Sequence, residues 1–356
     1  MTALTVPAAH QGNENPRPVP WRRMAGVIWR QHRYALLGVV ALLGALALYL
    51  GVAAASMHHA YATALACRPA SAYACQNQVI DFNTAYAPTA QTVGVLLLAV
   101  PMLIGAFVGA PVLARELETG TFRYAWTQGF GRQRWTLAKL VPLAVMVTAA
   151  AGLFGLLFSW YYQPLLADGM SIPLDPKLFG VRGVAFAAWT LAAFAIGALA
   201  GMLIRRVVPA IAVTLAVCVA LSFAAGLYLR PHYMTPLTGR NLASAPASAW
   251  VLNGWWTRGG TTVSQAAMDQ IETPLFRQVV TATVPKDVSS DDVKFYKGQA
   301  GTQVQDYLVR HGYTHWISYQ PASRYWPFQW IEGGWLLALS VALIAVTVWL
   351  VRRRAA

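Results

Sequence analysis

The segment between residues 114 and 139 carries an ordered set of charges. Its first turns hold two acids, Glu116 and Glu118, and a glycine turn follows at Gly120. Its far end holds three cations, Arg132, Arg134 and Lys139. Acids at the start and cations at the end of a short helix suit the helix dipole, so one interpretation is an amphipathic loop that stabilises itself. The other interpretation is a docking surface for a partner protein.

Catalytic and nucleotide-binding motifs are absent from the sequence. None of the five lysines follows a glycine, so the GK[ST] core of a P-loop is missing. The HExxH and GxSxG patterns of hydrolases are missing as well. His311 and His315 are four residues apart, but Gly312 interrupts the pair. We therefore expect no catalytic residue, no metal site and no ATP hydrolysis on this chain.

Three cysteines are the remaining reactive groups. Cys67 and Cys75 lie close together in one polar loop, and Cys218 lies alone in an apolar run, which does not match a zinc framework. If the loop faces an oxidising exterior, Cys67 and Cys75 can form a disulfide. The alternative is two free thiols. Cys218 has the character of a small core residue.

The composition requires lipid as a solvent for much of the chain. Of 356 residues, 57% are hydrophobic and 11% are charged, against roughly 25% charged residues in soluble domains. The net charge of +14 would suggest nucleic acid as the partner of a soluble protein. Here the basic residues flank apolar runs, as topology signals do, so we expect no nucleic-acid partner.

Six apolar runs reach the roughly 20 residues that are needed to cross about 30 Å of hydrocarbon. They cover residues 35–56, 93–113, 140–162, 183–204, 207–229 and 333–351, and none contains Asp, Glu, Lys or Arg. Lipid offers no hydrogen bonds to the backbone, so these runs should be helices. The predicted fold is an all-α integral membrane protein with six transmembrane helices.

The distribution of charge predicts that both termini are cytoplasmic. In that orientation the inner segments hold 15 Lys and Arg and three acids, whereas the outer segments hold 12 basic residues and ten acids. This bias follows the positive-inside rule. The expected location is the plasma membrane, crossed several times. The inner segments are residues 1–34, 114–139, 205–206 and 352–356.

The segments around the first five spans, which occupy residues 35–229, differ in character. Residues 1–20 have the composition of a disordered cytoplasmic tail. Residues 21–34 place apolar side chains along one helical face and arginines elsewhere, which predicts an interfacial amphipathic helix. The last span, 333–351, is followed by a basic tail at 352–356.

The predicted extracellular segment, residues 230–332, is too long for a simple connector and should fold. Within it, TTVSQAAMDQIETPLF has a helical pattern that Thr262 or Ser264 could cap. GTQVQDYLVRHG has a second helical pattern, which ends at Gly312. The aromatic residues of SRYWPFQWIEGGW favour the membrane interface before the last span.

Two glycine pairs with a spacing of four lie within the predicted spans. They are Gly105 with Gly109 and Gly197 with Gly201. Each pair falls on one helical face and permits close helix packing in lipid. The packing could be within the chain or at a subunit interface.

The loop 114–139 resembles the one between the second and third spans of type-two ABC exporter permeases. The shared pattern is two acids, Gly-Thr, a TQ step and basic residues before the next span. The opening WRQHRY and the late HGYTHWISYQPASRYWPFQWIE are similar to actinobacterial members of that group. The matching loop residues are Glu116, Glu118, Gly120, Thr121, Thr127, Gln128, Arg132, Arg134 and Lys139.

This resemblance implies a permease subunit with an interfacial N-terminal helix, a coupling helix in the loop 114–139 and an outer domain between spans five and six. Two permeases pair in that family, as a homodimer or a heterodimer. Two separate ATPase subunits, which bind ATP and magnesium, drive export. The chain itself would need no cofactor, and Glu116 and Glu118 would help to seat the coupling helix on the ATPase.

The expected substrate is amphipathic or hydrophobic and passes between two permease copies, along the second and fifth spans. The alternative function is a non-transporting envelope sensor or immunity protein that acts through its outer segment. An ATPase partner distinguishes the two functions.

Overall fold

The computed structural model describes residues 21–68, 73–120, 132–167, 171–240, 245–284 and 290–354. Side chains are described in these ranges except at residues 21–43, 73–74, 76, 132, 290–292, 294–295 and 354. The predicted tail 1–20 and the loop residues Thr121, Thr127 and Gln128 lie outside the described residues.

Long apolar helices dominate the described chain, because only helices satisfy backbone groups within lipid without a closed barrel. They are α1 (Trp21–Ala66), α2 (Tyr73–Leu97), α3 (Ala99–Ile104), α4 (Ala110–Thr119), α5 (Arg132–Ala167), α6 (Gly183–Ile204), α7 (Val207–Ala224) and the last helix, α10 (Tyr325–Arg354). A π-helical turn, Gly105–Gly109, joins α3 to α4, and a second, Ala225–Leu229, extends α7.

Five stretches of the described residues are long and apolar enough to cross a bilayer. They are Asn77–Thr119, Gln133–Ala167, Gly183–Ile204, Val207–His232 and Ala322–Arg353. Each contains one of the predicted spans two to six, and the span 183–204 has the predicted bounds. The predicted first span, 35–56, lies inside α1.

Helix α1 differs from the prediction for its N-terminal part. The predicted interfacial helix, 21–34, and the predicted first span are parts of one continuous helix of 46 residues. At 1.5 Å per residue this helix is about 69 Å long, more than twice the hydrocarbon thickness. The physical reason is that residues 21–66 contain no proline, so nothing interrupts the backbone hydrogen bonds.

Helix α6 lies at the centre of the bundle. It packs against α3 and α4, α5, α7 and α10. Its 22 residues span about 33 Å. One end of the bundle, the loop end, holds the end of α4 and the starts of α5 and α7. Leu113, Trp135, Met202, Leu350 and Val351 form its core, so the C-terminal part of α10 also lies there.

The opposite end, the domain end, carries a folded unit, here called the sheet domain (residues 237–320). Its strands are β1 (Leu237–Arg240), β2 (Trp250–Arg258), β3 (Thr261–Val263) and β4 (Tyr313–Gln320), and its helices are α8 (Gln265–Thr283) and α9 (Ser290–Arg310). The strands pair antiparallel in the order β1-β4-β2-β3.

Each helix of the sheet domain contains most of one predicted helical pattern, but the bounds differ. The first pattern began at Thr261, whereas Thr261–Val263 form β3 and α8 starts at Gln265; the second began at Gly301, whereas α9 starts at Ser290. The Ser264 hydroxyl accepts a hydrogen bond from the amide of Ala267 at 3.3 Å and caps α8. Gly312, with φ +83°, follows α9 and permits the left-handed turn into β4. Met268, Val304 and Leu308 form a core between these helices and the sheet.

The four strands are an addition to the all-α expectation. β2 and β4 are rich in aromatic and β-branched residues, which favour strands. The sequence analysis assigned the aromatic residues that follow β4 to an interface anchor and no structure to the strands themselves. The membrane region is helical throughout its described residues, and the sheet is confined to the segment between α7 and α10.

Candidate functional site

The loop end brings together the two arms of the segment 114–139. Helix α4 ends at Gly120, whose φ of +71° is the left-handed conformation that glycine favours. Glu116 on α4 forms an ion pair with Lys139 on α5. The Lys139 ammonium also lies 4.4 Å from the centroid of the Trp135 ring. Both arms are therefore joined by a charge pair that remains partly exposed, with 31% of the Glu116 side chain accessible.

Glu118 has a different partner from its neighbour on α4. Its Oε2 atom accepts a hydrogen bond from the backbone N–H of Val207 at 3.0 Å. Val207 is the first residue of α7, whose first turn contains no acid of its own. A carboxylate at a helix N-terminus satisfies a free amide and complements the helix dipole. Glu118 thus links the end of α4 to the start of α7.

The structure describes fewer contacts for the other predicted loop residues. Arg134 is exposed near the start of α5. For Arg132 only the backbone position, as the first residue of α5, is described. The structure gives both acids partners within the chain, which fits the interpretation of a loop that stabilises itself. Their contact with a partner protein stays a prediction.

The two glycine pairs lie against each other. A Cβ at Gly105 would lie 2.5 Å from the carbonyl oxygen of Ala193, and one at Gly109 would lie 2.6 Å from that of Phe194. A Cβ at Gly197 would collide with the carbonyl oxygen of Gly105. Gly201 faces the Ala110 carbonyl in the same way. The structure therefore places both pairs in a helix–helix contact within the chain, between the π-helical turn and α6.

The domain end holds a buried carboxylate that the sequence analysis did not single out. Glu332 on α10 has no exposed surface. Its Oε1 accepts hydrogen bonds from Trp189 Nε1 at 2.7 Å and Arg230 Nη2 at 2.8 Å. Its Oε2 accepts from Arg230 Nε at 3.0 Å and from the Tyr233 hydroxyl at 3.1 Å. Glu332 therefore joins α6, α10 and the end of α7 through four hydrogen bonds.

The partners of Glu332 are themselves buried and bonded. Arg230 is 4% exposed, and its Nη1 donates to the Pro176 carbonyl at 3.3 Å. Trp335 Nε1 donates to the Tyr233 hydroxyl at 2.9 Å. Burial, followed by the charge of Glu332, raises the pKa of Tyr233, so the phenol stays protonated as a donor. One signal was present in the sequence: Arg230 and Glu332 are the two ends of the predicted segment 230–332.

Comparison with known families decides the class of protein. A family model described as ABC-2 membrane transporter related matches residues 37–230, which is more than half of the chain. The chain belongs to this family. The resemblance inferred from the loop 114–139 is thereby confirmed. Comparisons with curated proteins and with solved structures give no match.

As an ABC-2 family protein the chain is a membrane protein and a transporter permease in general terms. The matched part contains most of α1, the loop end and both glycine pairs, and it stops at Arg230. Helix α10 lies beyond it but completes the bundle. The Gln329 side chain accepts from the amide of Ala185 at 2.8 Å and donates to the Phe179 carbonyl at 3.1 Å.

The cysteines of this ABC-2 protein are divided as their spacing suggested. Cys67 and Cys75 are joined by a disulfide, with their Cα atoms 5.4 Å apart, between the end of α1 and the start of α2. Cys218 is a buried free thiol in α7. Among the described residues, no group of three or more His, Cys, Asp and Glu could hold a metal ion.

Proposed function

We propose that this chain is the membrane-spanning subunit of an ATP-driven exporter, which moves an amphipathic or hydrophobic substrate out of the cell. One observation carries the proposal: Glu116 and Glu118 connect α4 to both α5 and α7 at the loop end. A force on the loop 114–139 therefore reaches the second, third and fifth spans together. The energy would come from a separate ATPase, because the chain has no nucleotide-binding motif.

The orientation follows from charge and from the cysteines. The inner segments have the excess of Lys and Arg expected of the cytoplasmic side. The Cys67–Cys75 disulfide lies beside the start of α2, and disulfides persist in oxidising compartments. Both observations support a cytoplasmic loop end, cytoplasmic termini and an extracellular sheet domain in the plasma membrane.

The proposed assembly contains two permease copies, as a homodimer or a heterodimer, and two ATPase subunits that bind ATP and magnesium. The second and fifth spans expose apolar side chains, among them Phe107 at 61% and Phe223 at 64%. None of the predicted spans holds a charged residue. These features support a path between the copies for a hydrophobic or amphipathic molecule rather than for an ion.

The test is co-purification of the tagged protein from its native membranes in mild detergent, followed by mass spectrometry. We expect an ATP-binding subunit to co-purify with the wild type. Arg134→Glu, an exposed charge reversal at the loop end, should reduce its recovery several-fold. Lys297→Glu, an exposed reversal on α9 at the other end, is the matched control and should not. Equal recovery of the ATP-binding subunit with both variants would show that the loop is not part of the docking surface.

A second function, an envelope sensor or immunity protein, is favoured by one observation, the sheet domain with its own core. Repeated gentle preparations without any ATP-binding subunit would support it over export. A soluble or surface ligand that binds the sheet domain would then be the next measurement.

A further inference from the structure

Two arginines are buried at the domain end, and they differ in their partners. Arg230 is 4% exposed and forms a bidentate pair with Glu332. Arg182, immediately before α6, is 6% exposed. Its Nε atom is buried and has no hydrogen-bond partner in the part of the chain that the structure describes. Within the described ranges no carboxylate forms an ion pair with Arg182.

The contacts that Arg182 does make are weak ones. Its Nη1 donates to the Pro173 carbonyl at 3.4 Å. Its guanidinium carbon lies 4.9 Å from the ring centroid of Tyr325 and 5.6 Å from that of Tyr162. Asp175 interacts with Arg182 electrostatically and without a direct ion pair. Its Oδ1 accepts a hydrogen bond from the amide of Lys177 at 3.0 Å. Burial lowers the pKa of Arg182, because these groups do not fully compensate the charge.

The surroundings of Arg182 favour an anion. Arg182 precedes Gly183, which has φ +60°, and the 22-residue helix α6, whose N-terminus carries a partial positive charge. The Tyr162 hydroxyl lies 3.4 Å from the Ser171 hydroxyl. A Cβ at Gly183 would lie 3.1 Å from the Tyr325 hydroxyl, so this phenol also lies at the start of the helix. The Tyr162 hydroxyl donates to Ser171, the amide of Gly183 to Ser159 Oγ and the amide of Ala185 to Gln329 Oε1. The guanidinium and the Tyr325 hydroxyl are therefore the donors at this helix start that suit an oxyanion, and the partial charge of the helix adds to their field.

The height of Arg182 in the membrane indicates the source of that oxyanion. Trp160 and Trp326 are 43% and 56% exposed at the same end of the bundle. Exposed tryptophans of this kind mark the level of the lipid headgroups. Phosphate groups are the anions that every phospholipid presents at this level.

We propose that Arg182 binds a phosphate oxyanion, and that this phosphate belongs to a phospholipid headgroup of the outer leaflet. The headgroup reaches the guanidinium through the part of Arg182 that remains exposed, and the planar fork can bind two phosphate oxygens at once. The bound lipid supplies the acceptor that Glu332 supplies to Arg230. This site does not depend on an ATPase partner.

The test uses the purified, delipidated full-length protein and native mass spectrometry. The probes are phosphatidylglycerol, diacylglycerol, which lacks the phosphate, and inorganic phosphate. We expect the wild type to bind phosphatidylglycerol and not diacylglycerol. Arg182→Gln should weaken binding by at least about tenfold, the effect of losing a charge-assisted bidentate contact. Arg182→Lys, which keeps the charge without the fork, should have an intermediate effect.

Lys177→Gln is the matched control, because it removes an exposed cation from the same segment between α5 and α6. Unchanged lipid affinity in Arg182→Gln, or an equal loss in Lys177→Gln, would overturn the proposal. Inorganic phosphate that competes equally with the lipid would overturn the headgroup as the source. If Arg182→Gln does not fold, the comparison of Arg182→Lys with Lys177→Gln decides.

Discussion

Glutamates join helices at both ends of the helical bundle, but the two ends differ in how deeply these side chains are buried and how many partners they have. At the loop end, Glu116 and Glu118 are partly or well exposed, and each has one partner. At the domain end, Glu332 is completely buried and accepts four hydrogen bonds. Exposed pairs contribute about 0–1 kcal/mol, whereas breaking a buried pair costs about 3–5 kcal/mol. The glutamates of the loop end can therefore exchange partners at little cost, whereas the contacts at the domain end are rigid.

Helix α6 connects these two ends. Its start contacts the Glu332 network through Trp189, and its middle approaches the turn Gly105–Gly109 backbone to backbone. A helix held at one end and in close backbone contact along its length transmits displacement rather than absorbing it. This arrangement suits a permease that receives force at the loop end.

The largest expected effect comes from the buried carboxylate. Glu332→Gln should destabilise the protein by about 3–5 kcal/mol, because Arg230 is left as an uncompensated buried charge. Thermal unfolding in detergent measures the loss. The double variant Arg230→Gln with Glu332→Gln should recover part of it. A wild-type unfolding temperature in Glu332→Gln would mean that the domain end is no more rigid than the loop end.

The next effect concerns the cysteine pair at the domain end. Cys67→Ser should cost about 2–3 kcal/mol, the value expected for opening a loop of this length. Alkylation with and without reductant, read by mass spectrometry, shows whether the wild-type thiols are joined. Cys218→Ser, which removes the buried free thiol, distinguishes disulfide loss from any cysteine loss. Two freely alkylated loop thiols in the native protein would contradict the expected disulfide.

A smaller effect is expected between the two ends. Gly197→Ala should cost about 1–3 kcal/mol, because the new methyl group collides with the Gly105 carbonyl and the helices must separate. Gly152→Ala is the control, since its methyl group would meet only Ala187 at 3.9 Å. Thermal unfolding should separate the two variants. Equal behaviour would show that the helix contact is looser than the structure indicates.

At the loop end, stability and coupling should respond differently. Glu118→Gln should cost about 1 kcal/mol or less in stability, as expected for an exposed helix cap. Its effect should instead appear in the complex with the ATPase, as weaker stimulation of ATP hydrolysis by substrate. Recovery of the ATPase on purification should not change. A large fall in the unfolding temperature of Glu118→Gln would show that Glu118, like Glu332, mainly stabilises the fold.

The smallest expected effect is a pH dependence in the sheet domain. His315 stacks on Trp256 with ring centroids 4.6 Å apart, and burial lowers the pKa of His315 below its usual value of about 6.5. The unfolded chain therefore binds a proton more readily, so stability is complete above about pH 6.5 and decreases as the pH falls below it. Unfolding temperatures between pH 7.5 and pH 5 measure this. His315→Asn should weaken the dependence of the unfolding temperature on pH. An unchanged dependence would mean that other groups cause it.

Five of the six predicted spans have a counterpart in the structure, because lipid imposes a simple rule on composition. The run 183–204 has the same bounds in sequence and structure, since charges or polar residues flank it on both sides. The break between 34 and 35 could not be placed correctly, because amphipathic and apolar stretches can share one helix. The sheet was missed because β2 and β4 lack the strict alternation of apolar and polar residues that indicates a half-buried strand.

The roles predicted for the loop residues stay predictions, although the structure gives contacts for some of them. The acids of the loop were found from their charge order, but their partners, Lys139 and the Val207 amide, depend on how α4, α5 and α7 meet. Glu332 was passed over because it lies one residue outside a predicted span. Its role arises from Trp189 and Arg230, which are more than a hundred residues away in sequence, so no local pattern reveals it.

The most direct test of a permease driven through the loop 114–139 measures movement at both ends of one chain in the complex with its proposed ATPase. Spin labels at the exposed positions Arg115 and Arg206 report the loop end, and labels at Lys177 and Tyr228 report the domain end. Pulsed electron paramagnetic resonance with and without ATP should show a changed distance at the loop end and a constant one at the domain end. Movement confined to the domain end, or no ATP-dependent change at either end, would contradict a permease driven through the loop 114–139.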